Sequence, residues 1–307
     1  MLANILWGAL YPAGKPVLAE VTALDVALVR AVVAFVVLGS LVVLTGRGSK
    51  LMEEALHRPW MGVVQGLLSF TFSSLLAMLA LNYLPASVMG LIGNTSPMWL
   101  AIGTLALVRP PDWRRLVAGA AIAFVGMGVV LFQDAGSLAA PGVSGLSVTG
   151  IGLGLLCSVV IALSTIWGRY TMTRQGDALA STALACIWGA IPLLFLAQRS
   201  GDINLILTAS LPTKGLLLFL GVGCTAANFA LWFHALQHIP AARVSTFGYM
   251  IPLVSALLAA VFLGESITLS LALGGALTVG GIALAQERLA PAKELVAGGK
   301  QQPVGVE

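Results

Sequence analysis

A short recurring element constrains this chain more than any other feature: Leu84-Pro85-Ala86 returns as Ile239-Pro240-Ala241, 155 positions later. At the same offset, without gaps, Gly66 falls on Gly221, Gly93 on Gly248, Pro97 on Pro252, Gly119 on Gly274 and Gly126 on Gly281. An apolar alphabet inflates chance matches, so the weight of the repeat rests on these glycines and prolines. Each half carries five apolar runs of membrane length. Five is odd, so the second half must enter the membrane from the side opposite to the first, as in the inverted repeats of secondary transporters.

Composition makes lipid the solvent. Hydrophobic residues make up 58% of the chain, charged residues 9%, and the mean hydropathy is +0.97; a soluble domain carries about 25% charged residues. The apolar runs cover 2–19, 23–45, 60–83, 86–108, 116–132, 148–167, 179–197, 216–236, 242–263 and 269–285. In hydrocarbon each backbone amide must be satisfied within its own segment, so the runs are expected as helices. The expected fold is an all-α integral membrane protein of ten transmembrane helices in two inverted five-helix repeats.

Loop charge sets the orientation. With the N-terminus inside, 12 of the 16 Lys and Arg face the cytoplasm and three (Lys15, Arg199, Lys214) lie toward the outside, with Arg30 within the second span. The positive-inside rule therefore gives N-in, C-in. Residues 1–135 form the first repeat, 136–147 an external linker, 148–287 the second repeat and 288–307 a polar, disordered cytoplasmic tail. The net charge of +4 belongs to this topology and not to nucleic-acid binding. Met1 leads into an apolar run with no basic region, so no cleavable signal is expected. Trp7-Gly8 resembles Trp167-Gly168 at an offset of 160, and the dozen apolar residues before Trp167 have no counterpart before Trp7. On that comparison the first helix lacks its opening turns.

No phosphate loop, nucleophile elbow or pair of histidines at metal-ligand spacing is present, so neither an enzyme nor a bound cofactor or metal is expected. Cys157, Cys186 and Cys224 all fall within apolar runs and read as small buried residues. Polar groups inside spans are costly in hydrocarbon and mark the bundle interior or a wet cavity. Lys15, bracketed by Pro12 and Pro16, either faces a substrate carboxylate, snorkels, or pairs with Glu20 or Asp25. Arg30 either contacts substrate or pairs with Asp25. Asn94 and Tyr249 each precede a proline by three residues in the same repeat column, beside Gly93–Pro97 and Gly248–Pro252. A proline frees a carbonyl one turn back, so these are expected hinges. Asn94 and Tyr249 either contact solute there or repair the freed backbone. Asn228 and Trp232 share a helix face, as do Trp7 and Tyr11; Trp7, Tyr11, Trp167 and Trp232 either line an aromatic vestibule or form an interfacial belt or ordinary packing. His234 is a candidate proton carrier, with hydrogen-bonded packing as its alternative. Glu265 is placed to cap the tenth helix.

These residues together resemble the drug/metabolite transporter superfamily, specifically its ten-helix EamA-type members. The resemblance is carried by Trp7-Gly8 with Lys15, by Arg30, by Pro85-Ala86…Pro97 and its twin Pro240-Ala241…Pro252, and by Leu263-Gly264-Glu265. It covers the chain except the tail. The first half departs from it, with Arg109-Pro110-Pro111 where the glutamate signature would stand. The resemblance implies helices one to four and six to nine around a central cavity, with helices five and ten packed outside, often at a homodimer contact. It also implies export of small metabolites such as amino acids or their derivatives across the inner membrane, in some members coupled to protons.

Overall fold

The computed structural model describes residues 1–57, 59–107, 113–133, 147–175, 177–200, 204–238, 248 and 250–286, and among these all regular structure is helical. In chain order the helices are α1 (Leu2–Val17), α2 (Ala23–Leu44), α3 (Gly48–His57), α4 (Pro59–Gly66), α5 (Ser73–Leu81), α6 (Ala86–Gly93), α7 (Ser96–Leu107) and α8 (Trp113–Gln133). The second half contributes α9 (Val148–Gln175), α10 (Ala178–Ser200), α11 (Asn204–Thr208), α12 (Leu211–Gly221), α13 (Asn228–His238), α14 (Met250–Leu263) and α15 (Leu269–Gln286). Among the described residues six helical stretches are long and apolar enough to cross a membrane: Ala23–Leu44, Pro59–Leu81, Trp113–Val130, Val148–Gly168, Ala178–Ser200 and Leu211–Trp232. Met250–Leu263 and Leu269–Leu284 are shorter and equally apolar. The short helices α3 and α11 lie outside every expected span.

Local chemistry sets the helix ends. Thr22 and Asp25 form a capping box at the start of α2, each side chain accepting from the other's backbone amide at 3.2 Å. Ser210 caps α12, and Glu20 accepts both the Ser210 amide and its hydroxyl at 2.7 Å, tying the α1–α2 turn to the second half. These bonds hold the Glu20 carboxyl below its ordinary range. Gly264 takes φ +67, a conformation that suits glycine, and the turn it makes aims Glu265 backward. Glu265 caps α6 and not the tenth helix: it accepts the Ala86 amide at 2.6 Å, the Ser87 amide at 3.0 Å and the Ser87 hydroxyl at 2.6 Å. Pro85 supplies no side chain able to cap, so the carboxylate must come from elsewhere in the chain.

The most extensive helix pairing joins α8 to α15. A Cβ added at Gly126 would lie 2.5 Å from the Thr278 nitrogen and 2.6 Å from the Gly274 oxygen; one added at Gly281 would lie 2.5 Å from the Gly119 oxygen. Only glycine allows backbones this close. The first glycine of each helix thus meets the second of the other, so the two helices run antiparallel. Thr278 donates to the Ala123 carbonyl at 3.3 Å, and these two residues occupy one repeat column, 155 apart. A local dyad therefore passes between them.

The same pairing rule recurs deeper in the bundle. A Cβ at Gly221 would meet Val33 Cβ at 2.6 Å, and a Cβ at Gly66 would meet Trp188 Cβ at 3.0 Å. Val33 and Trp188 are themselves 155 apart, as are the two glycines. Directly after each glycine the helix widens into a six-residue π segment, Leu67–Phe72 in one half and Val222–Ala227 in the other. These two segments also occupy the same columns at offset 155.

The first and sixth helices follow a different offset. Trp7 meets Asn228 while the Cys157 thiol donates to the Ser73 carbonyl at 3.3 Å. Gly8 packs on Val254 while Trp99 donates to Ser158 at 2.7 Å. Both pairs relate α1 to α9 by 150 positions, so the counterpart of Trp7 is Cys157 and not Trp167.

Candidate functional site

The helix pair α6–α7 is interrupted where the proline column predicts. α6 ends at Gly93, Asn94 and Thr95 form a turn, and α7 resumes at Ser96 with Pro97 in its first turn. Asn94 donates to the Gly90 carbonyl at 2.8 Å and Thr95 to the Ile92 carbonyl at 2.7 Å. Asn94 thus repairs the broken ladder of its own helix. The Tyr11 hydroxyl packs against Gly93, so no larger residue fits there. Pro252 is buried in α14, and Gly248 stands in a short 3₁₀ turn before it. Tyr249 lies outside the described residues.

Lys15 is spent on helix capping. Its Nζ donates to the carbonyls of Leu81 and, at 2.8 Å, Leu84, filling acceptors orphaned at the end of α5. It pairs with neither Glu20 nor Asp25. Arg30 also makes no ion pair among the described residues. Asp25 is occupied by the Thr22 capping box, and five residues along a helix turn it about 140° from Arg30.

Arg30 is 9% exposed and donates to two hydroxyls: Nε to Thr225 Oγ1 at 3.3 Å and Nη1 to Ser74 Oγ at 3.0 Å. Thr225 lies within the second π segment; Ser74 follows the first by two residues. The guanidinium therefore links the second widened turn to the start of the helix that follows the first, one contact from each half. One turn from each hydroxyl stands a phenylalanine, Phe70 beside Ser74 and Phe229 beside Thr225, with ring centroids 5.7 Å apart. Trp7 meets Phe229 edge-on at 6.0 Å and Trp232 at 5.3 Å. The buried Asn228 locks this wall in place. In the orientation that satisfies both neighbours, its amide donates to the Ala3 carbonyl at 2.9 Å and accepts the Trp7 indole N–H at 2.6 Å.

The structure thus brings together Arg30, Trp7, Trp232 and Asn228, with Tyr11 and the three buried cysteines within electrostatic reach of the guanidinium. It does not bring Trp167 there: that indole donates to the Met61 carbonyl at 3.2 Å and packs with Trp60 and Tyr170. His234 is exposed on α13. Ser74, Thr225, Phe70 and Phe229 carry no motif and were not candidates; the repeat column of the π segments would have singled them out only with the helix geometry known. A cleft of about 420 Å³ opens elsewhere, at the α1–α2 turn beside Glu20, Asn82 and Leu205. Its lining carries no cation. Among the described residues no group of three metal-binding side chains occurs.

Apolar helices of membrane-spanning length around a buried polar centre define a multi-pass membrane protein. The chain belongs to the EamA-like transporter family, whose model matches residues 1–132 and 148–285. It is 29% identical over 283 residues to the uncharacterized transporter YvbV of Bacillus subtilis (strain 168), covering 91% of this chain and 88% of that one. An uncharacterized transporter of Archaeoglobus fulgidus is 30% identical over 206 residues, 67% of this chain and 68% of its own length. A solved crystal structure superposes with a TM-score of 0.63 at 23% identity, covering 95% of this chain and 96% of that one, which bears on the fold alone.

Proposed function

We propose that this protein is a secondary transporter of ten helices in two inverted repeats, N-in and C-in. In this reading it exports small carboxylate-bearing metabolites across the inner membrane by alternating access. The observation that carries this reading is the pair of π segments at equivalent columns of the two halves, with the Arg30 guanidinium between Thr225 of the second and Ser74 just after the first. π turns leave part of the backbone ladder unpaired and are frequent at functional sites. The antiparallel, dyad-related pairing of α8 with α15 supports the inversion of the repeats. Rocking of one repeat against the other would open the Arg30 centre first to one face and then to the other. The interrupted α6–α7 and the Pro252 column supply the bends. Trp7 and Trp232 would hold the apolar part of the solute.

The test is counterflow in proteoliposomes with a labelled panel of small carboxylates and amino acids. Wild-type protein should exchange at least one of them well above empty vesicles. Arg30→Gln and Trp232→Ala should each lower that exchange about tenfold or more while eluting as folded protein. Flux equal to empty vesicles across the whole panel, or full flux in both variants, overturns the reading.

A further inference from the structure

Resting on the transport site just described, we infer that its cargo is an organic anion with one net negative charge and an apolar body, and not a zwitterionic amino acid, and that export is driven by the membrane potential itself. The buried Arg30 brings one positive charge into the bundle, and no carboxylate among the described residues neutralises it. Its two partners are neutral hydroxyls, Ser74 and Thr225. A buried charge without a counter-ion is costly, and a cargo that supplies the counter-ion relieves that cost. A monoanion makes the loaded centre neutral. A zwitterion leaves it positive and adds an ammonium that needs its own acceptor. The nearest acid on the same helix, Asp25, faces about 140° away and holds the helix cap. One helical turn from the two hydroxyls that meet the guanidinium stand Phe70 and Phe229, with Trp7 edge-on to Phe229, an aromatic cluster that suits a flat apolar group.

The charge balance has an energetic consequence. The loaded centre crosses as a neutral pair and the empty carrier returns with its positive charge, so each cycle moves one net negative charge outward and an inside-negative potential drives it without a coupling ion. A tenfold potassium gradient clamped with valinomycin should therefore hold the anion at about a tenfold opposing gradient.

The experiment uses one ring with three charges: phenylacetate, phenylalanine and phenethylamine. Binding to purified full-length protein is followed by tryptophan fluorescence. Flux is followed in proteoliposomes under a valinomycin potential or, separately, a nigericin pH gradient. Phenylacetate should bind at least tenfold more tightly than phenylalanine, and phenethylamine should not compete. Arg30→Gln should abolish that preference, and Arg30→Lys should retain most of it. Phenylacetate flux should follow the potential and ignore the pH gradient. Equal or tighter binding of phenylalanine that still depends on Arg30 overturns the anion assignment and leaves the transport site standing. Indifference of every ligand to Arg30→Gln overturns both. Flux that follows the pH gradient overturns the electrogenic cycle.

Discussion

Glu54 shows how a single side chain tunes this fold outside the membrane. It is 7% exposed on α3, and Ser181 of α10 donates to one of its oxygens at 2.7 Å while the other, Oε1, has no partner. Asp177 stands nearby, capping α10 through the Leu179 and Ala180 amides and paired with Arg47 at 3.5 Å and Lys50 at 3.8 Å. Burial, helped by the Asp177 charge and opposed by the Ser181 bond, pushes the Glu54 carboxyl up to about 7. A carboxyl raised by folding is proton-bound more tightly in the native state. Its contribution is therefore complete below about 4.5 and is lost as pH rises through about 7. Thermal unfolding in detergent should show wild type losing about 1–2 kcal/mol of stability between pH 5 and pH 8 relative to Glu54→Gln, after allowance for solvent screening. Parallel pH profiles for the two proteins would refute this role for Glu54. Sequence alone could not place this residue. It sits in a loop helix that the apolar pattern does not include, and its partners lie about 125 positions away.

At the scale of elements, glycines decide which helices can meet. The α8–α15 pair depends on Gly126, Gly274 and Gly281, where a methyl group would strike backbone atoms, at Gly281 the Gly119 carbonyl among them. Backbone cannot withdraw as a flexible side chain can. Gly126→Val and Gly274→Val should each lower the unfolding temperature by several degrees, in line with about 1–3 kcal/mol for overpacking. Gly152→Ala and Gly275→Ala, which would meet nothing within 4 Å, should leave it unchanged. Differential scanning fluorimetry on the four variants checks the contrast. The glycine columns were readable from the repeat, since matching small residues at a fixed offset is a pattern. The π segments were not: an i→i+5 turn carries no residue signature and arises from how the helix is held by its neighbours. The same holds for Glu265, whose target at Ala86 and Ser87 is local to neither its own helix nor its own half. Trp167 illustrates the opposite error. Matching Trp-Gly dipeptides suggested an equivalence that the contacts of Trp7 and Cys157 replace with another.

At the scale of the whole molecule, the all-helical membrane class was legible because hydropathy acts on whole spans. The centre was only partly legible, because Arg30 stands out in an apolar run while Ser74 and Thr225 do not. The proposed topology makes a direct prediction. With the native cysteines buried, Glu53→Cys should react with a membrane-impermeant maleimide only in inside-out vesicles. Leu211→Cys, 82% exposed at the start of α12, should react only in right-side-out ones. Labelling of both from one side would refute the inversion.

In the proposed alternating-access cycle, in which the halves exchange roles, the dyad through Ala123 and Thr278 has a thermodynamic meaning. Wherever the repeats match, each contact broken in one half is remade in the other, and the two end states have equal energy from those columns. Only mismatched columns can favour one state. Arg30 faces Ala185 in the repeat register and Glu265 faces Pro110, so two such columns place a charged group in one half alone. In the proposed cycle the resting preference is thus set by the columns that differ between the halves, and substitutions at these two charged columns would shift which way the empty protein faces.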